Sequence, residues 1–164
     1  MNKLGAVLAI AFVCSSCATL DGGREKISSL RELRLIQSDT AANLGRVVAF
    51  RGTVLTADSG AKMSALQIQV TPGYLTAAEA GEVFAVAWPG MLGALGIAKR
   101  DEILIVGRVA GTLAGVNAFG GSISIVSIQA ISIAAGGKVT VVAGEESAYG
   151  DWKLGSPAYR EKID

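Results

Sequence analysis

Strict two-residue alternation over residues 63–71 constrains this chain more than any other feature. Leu66, Ile68 and Val70 point one way, and Gln67, Gln69 and Thr71 the other. Only a strand with one buried and one wet face satisfies that spacing, because successive strand side chains project to opposite sides. Asp58-Ser59-Gly60 joins this strand to residues 46–56, where Val48, Phe50 and Val54 share a face. The two stretches predict a hairpin. Gly52 lies inside the first of them. A glycine within a strand marks a bulge or a sharp bend, which small barrels need.

Four further stretches repeat the strand signal. Pro72-Gly73 ends the hairpin, and residues 76–81 can form one helical turn. Residues 82–88 read as a third strand. Residues 101–111 read as a fourth, with Ile103, Ile105 and Val109 on one face. Residues 122–133 read as a long fifth strand whose apolar phase slips: Ile123 and Ile125, then Ile128 and Ala130, then Ile131 and Ile133. Each slip requires a bulge or a rotation of the strand. Residues 139–143, after Gly136-Gly137, are a candidate sixth.

The expected class is all-β. The pattern predicts a small OB-like five- or six-stranded antiparallel barrel over residues 45–144, with a short N-terminal helix. A sandwich is the alternative. Closure removes the exposed edges that so Val- and Ile-rich a chain would otherwise present. The helix is expected over residues 27–36, where Ile27, Leu30 and Leu33 recur at helical spacing. It is expected to cover part of the domain; lying on lipid is the alternative, with only these three anchors. Residues 145–164 read as a polar tail.

The N-terminus carries a different signal. Lys3 precedes a continuous apolar run over residues 4–13, and Cys14-Ser15-Ser16-Cys17 follows. These are the charged, apolar and small-residue regions of a secretory signal. A run of about ten residues is roughly half of what a membrane-crossing helix needs. Ser15, Ser16 and Cys17 resemble the bacterial lipobox, although Cys14 stands where Leu is usual. The expectation is cleavage after residue 16, acylation of Cys17, and a lipidated tether and helix over residues 17–44. An ordinary secretory signal is the alternative. Ala18 follows the cysteine rather than the Asp that retains lipoproteins in the inner membrane, so export to the outer membrane is expected.

The lipobox is followed by Gly45-Arg46-Val47-Val48-Ala49-Phe50-Arg51-Gly52-Thr53-Val54. Then come Leu66-Gln67-Ile68-Gln69-Val70, Pro72, and Asp101-Glu102-Ile103-Leu104-Ile105-Val106-Gly107-Arg108-Val109. This order resembles the Slp family of Gram-negative outer-membrane lipoproteins. The resemblance implies an OB-like barrel held at the outer membrane, with a role in envelope structure or stress tolerance. It brings no catalytic residues.

Composition bears on the remaining classes. His is absent, which removes the commonest general base and metal ligand and excludes Ser-His-Asp and Cys-His machinery. Cys14 and Cys17 both sit at the end of the apolar run, so neither staples the domain. The chain has 15 Lys and Arg against 14 Asp and Glu, and loss of Lys3 with residues 1–16 leaves the charge balanced. A neutral domain has no built-in attraction for phosphates, so nucleic acid is not expected as a partner. No cofactor, metal site or catalytic residue is expected, and the chain does not read as an enzyme. Asp101-Glu102 and Glu145-Glu146 read as solvated charge, because neighbours on a strand face opposite ways.

The unusual segment is residues 88–97, WPGMLGALGI. Trp88, Met91, Leu92 and Leu95 there, with Phe119 on a glycine-rich turn, are the candidate contacts to ligand or membrane. The competing reading makes the segment a plug for one end of the barrel. The expected partners are the bilayer through acylated Cys17 and an envelope protein or hydrophobic ligand. A periplasmic module that captures a hydrophobic ligand with residues 88–97 is the alternative function.

Overall fold

The computed structural model describes residues 27–70, 82–116 and 121–154. Cys17 and its tether, the expected turn at 76–81, and Phe119 lie outside the described residues. Six strands run in order: β1 (Val47–Asp58), β2 (Met63–Val70), β3 (Val83–Pro89), β4 (Glu102–Val116), β5 (Ser122–Ala135) and β6 (Lys138–Val141). Helix α1 spans Leu30–Ser38 and α2 spans Glu146–Leu154.

The sheet runs β3-β2-β1-β4-β5-β6, and a further pairing between β3 and β5 closes the first five strands into a ring. That seam is parallel, Phe84 opposite Val126 and Val86 opposite Ile128, while every other described pairing is antiparallel. The ring is the OB-like barrel expected from the alternation. Val48, Phe50 and Val54 of β1 and Leu66, Ile68 and Val70 of β2 all point inward and are buried. Phe50 and Phe84 meet at the centre with ring centroids 5.1 Å apart. Fully burying each such side chain contributes about 1.5–3 kcal/mol, which is what closes a ring from short strands.

Two glycines let the strands coil this tightly. A Cβ on Gly52 would lie 2.5 Å from the Gln69 carbonyl oxygen, and one on Gly107 would lie 2.5 Å from Ile128 Cγ2. Gly107 also sits at a register shift between β4 and β5.

The phase slips of β5 have two different origins. Ile131 is the extra residue of a bulge: Ala130 pairs with Gly107 and Ser132 with Val106. Ile128 and Ile133 therefore both face the barrel interior, and Ile131 turns to the outer surface. The earlier slip is not a bulge in β5. Ile123 is exposed and Ile125 half-buried, on a part of the β4–β5 hairpin that extends beyond the ring.

Helices close what the strands leave open. Ser29 caps α1 with a reciprocal capping box: its hydroxyl accepts from the Glu32 N–H, and the Glu32 carboxylate accepts from the Ser29 N–H. Leu33 and Ile36 of α1 enter the barrel core. Gln37 Nε2 donates to the Val83 carbonyl at 3.3 Å, which fixes α1 over the end where β3 begins. Helix α2 packs instead on the outer face of β1, β4 and β5. Its Trp152 is buried against Ala49, Leu104, Val106 and Ile131, and Tyr149 lies beside it at 5.6 Å. Residues 145–164 were expected as a polar tail; of these, Glu146–Leu154 form α2, which covers a second apolar surface, the back of β4, whose Leu104 and Val106 need shelter.

Candidate functional site

Residues 88–97 carry the sequence candidates, and the structure separates them. Trp88, next to last in β3, has its ring turned inward and is 6% exposed. A short 3-10 helix over Leu92–Leu95 follows, ended by Gly96 at φ 65°, a left-handed position suited to glycine. Leu92 is 3% exposed within the barrel core, and Leu95 and Ile97 pack against the same core. The segment is held to the β1–β2 turn. The Leu92 N–H donates to Ser59 Oγ at 3.1 Å, and the Gly90 N–H to the Lys62 carbonyl at 2.9 Å.

This segment therefore plugs the barrel at the end opposite α1. Trp88 and Leu92, named among the candidate contacts, are buried here and pack with the barrel core. Met91 alone among the four is well exposed, at 58%. Met63, whose neighbour across the ladder is Pro89, is also exposed.

Next to the plug is an open recess of about 490 Å³, lined by Leu95, Gly96, Asp101, Glu102, Ala135, Gly136 and Lys138. Asp101 is committed to the local turn, its Oδ2 accepting from the Ala98 N–H at 2.8 Å. Glu102 and Lys138 are exposed. Charges on an open surface are screened by water, so this recess does not hold a desolvated acid–base pair. Among the described residues there is no group of three or more His, Cys, Asp or Glu able to hold a metal ion.

Ion pairs link the helices and their flanks to the barrel. Arg34 meets Glu82 at 3.0 Å, Arg46 meets Glu32 at 3.5 Å, and Arg108 meets Glu145 at 2.9 Å. Such partly exposed pairs contribute about 0–1 kcal/mol each. Arg34 is thus engaged within the protein. Arg100 takes a left-handed backbone at φ 78°, and its N–H donates to the Val54 carbonyl at 2.8 Å.

Sequence reasoning passed over two surfaces. One is the outer face beneath α2, signalled by the unbroken apolar run Ile103-Leu104-Ile105-Val106. A strand apolar on both sides must be covered on both sides. The other is the part of the β4–β5 hairpin that leaves the ring.

No family model matches the chain, and no curated protein matches it. Among solved structures the chain is similar to the small single-stranded DNA-binding protein from Streptomyces coelicolor. The two share 19% identity over 56% of this chain and 94% of that one, with a TM-score of 0.40. The expectation that nucleic acid is no partner rested on balanced net charge alone and is withdrawn, because phosphate binding depends on how Lys and Arg are distributed over the surface and not on their sum. What that protein binds is not carried over to this chain.

Proposed function

We propose that the chain is a lipoprotein, cleaved before Cys17 and acylated there, whose barrel serves the outer membrane of a bacterial envelope in a structural, non-catalytic role. One observation carries the reading: the apolar run over residues 4–13 ends at Ser15-Ser16-Cys17. Acyl chains anchor by burial of their methylenes, at about 0.8 kcal/mol per CH₂, and two or more chains hold stably. Among the described residues no helix is long and apolar enough to cross a membrane, and lipid attachment requires none.

The geometry is compatible with this role. Residues 17–26 separate Cys17 from the first described residue and span at most about 35 Å when extended. The barrel would then stand close to the bilayer surface. Leu33 and Ile36 of α1 and Leu92 of the 3-10 helix join the barrel core, which supports a packed, structural domain.

The test is fractionation of cells making the full chain or its Cys17→Ala variant, with mass spectrometry of the N-terminal peptide. The expected result is an N-terminal Cys17 with acyl mass in the outer-membrane fraction, lost in the variant. A wild-type Cys17 without acyl mass overturns the proposal.

A further inference from the structure

The β4–β5 hairpin outruns the barrel. β1 pairs with β4 only between Glu102 and Arg108, and β3 pairs with β5 only between Val126 and Gln129. Beyond those limits, residues 111–116 and 122–125 pair with the facing strand of the hairpin and, among the described residues, with no other strand; Ala110 is the residue skipped at the register shift. A register shift at Val109/Gly111 and Gly111 at φ 138° turn this arm out of the ring.

Unpaired edges normally carry charge or proline, which stop other strands from adding. This arm carries neither: no Asp, Glu, Lys, Arg or Pro lies between Arg108 and Lys138. One face of the arm presents Leu113, opposite Ile125 in the ladder, together with Ile123 two residues before it. Leu113 is 52% and Ile123 37% exposed. A two-stranded ribbon with its apolar side in water is marginal by itself.

The chemistry of the edge selects its occupant. Hydrocarbon cannot satisfy a row of free N–H and C=O groups, each costing several kcal/mol in lipid, so the arm is not built to enter a bilayer. A charged peptide finds no opposite charge there. A second copy of the chain brings the same neutral edge and meets no like-charge repulsion.

We propose that the arm is a self-association strand, with residues 111–116 of two copies of this chain pairing antiparallel across a two-fold axis. The β4 edge is the suitable one. On β5 the free edge ends at Val126, where β3 takes over. Isologous pairing uses the β4 edge once per molecule, so it closes at a dimer and does not propagate into fibres. A six-residue edge is small beside the roughly 20–30 residues per side of a standard interface, so the dimer is weak and concentration dependent.

The pairing does not depend on Cys17, and its test is separate. A photo-crosslinking residue replaces Ala114 in the full chain, with exposed Ala65 on β2 as the control position. The expected product is an adduct of the chain with itself from position 114 and not from 65. Leu113→Lys and Ile123→Lys, at exposed positions that leave the barrel core intact, should each reduce it by about tenfold or more. Absence of the adduct, equal yield from position 65, crosslinks at 114 only to lipid or to another protein, or indifference to both lysines overturns the proposal.

Discussion

Replacing Gly52 with alanine adds one methyl group at a point of close strand approach in the barrel. Gly52 is buried in β1 between two partners, Val70 of β2 and Ile103 of β4. The new Cβ would lie 2.5 Å from both the Gln69 carbonyl oxygen and Ile68 Cγ2. Ordinary contact begins at 3.4 Å, so the neighbours must retreat by about 0.9 Å. Ile68 can change rotamer only by disturbing a fully buried packing site, and Gln69 offers backbone, which cannot rotate away. Overpacking of this kind costs about 1–3 kcal/mol. Stretching one or two ladder hydrogen bonds adds about 1 kcal/mol each. A loss near 3 kcal/mol is therefore expected, a large share of the roughly 5–15 kcal/mol that holds a typical domain together.

Urea unfolding of the full chain, followed by circular dichroism, measures this directly. Gly93→Ala is the matched control, since a Cβ there meets nothing within 4 Å and the residue is exposed. It should stay within about 0.5 kcal/mol of wild type. If Gly52→Ala also stays within that margin, the argument from close strand approach is wrong.

Phe84→Ala empties half of the central aromatic pair and should cost about 3–5 kcal/mol in the same unfolding assay. Trp152→Ala should cost about 3 kcal/mol and raise binding of a hydrophobic dye, because it uncovers Leu104, Val106 and Ile131. Gly150→Ala should stabilise α2 by about 0.5–1 kcal/mol, since Gly150 lies within the helix and an added Cβ there meets nothing. An unchanged or lowered urea midpoint would contradict that last expectation.

The strands were legible because their inward faces alternate cleanly. Leu66-Gln67-Ile68-Gln69-Val70 has one reading, and the structure shows it. The start of α1 was legible less closely, its capping box placing Leu30 rather than Ile27 at the first turn. Harder to read was any residue whose apolar character served something other than the barrel interior. Leu104 and Val106 face α2, and Ile123 faces outward on the arm, yet in sequence they look like core. Helix α2 escaped notice because Gly150, Asp151 and Lys153 dilute its apolar spacing, leaving Tyr149 and Trp152 as an isolated pair. At residues 88–97 both readings were open, since glycine-rich apolar segments suit a plug and an exposed patch equally. The burial of Trp88 and Leu92 shows only that the segment packs on the core, which no sequence pattern there specified.

The parallel seam between β3 and β5 has a consequence for how the chain reaches its native state. Phe84 and Val126 are neighbours in space but distant along the backbone, and the whole of β4 must be laid down between them. Hairpin β1–β2 and its extension to β3 involve near neighbours and form early, whereas ring closure waits for the fifth strand to arrive. Long loops closed late slow a search of this kind. In pulse-labelled hydrogen exchange the seam amides should gain protection last, after those of Val54 and Ile68, making the seam the final step of folding.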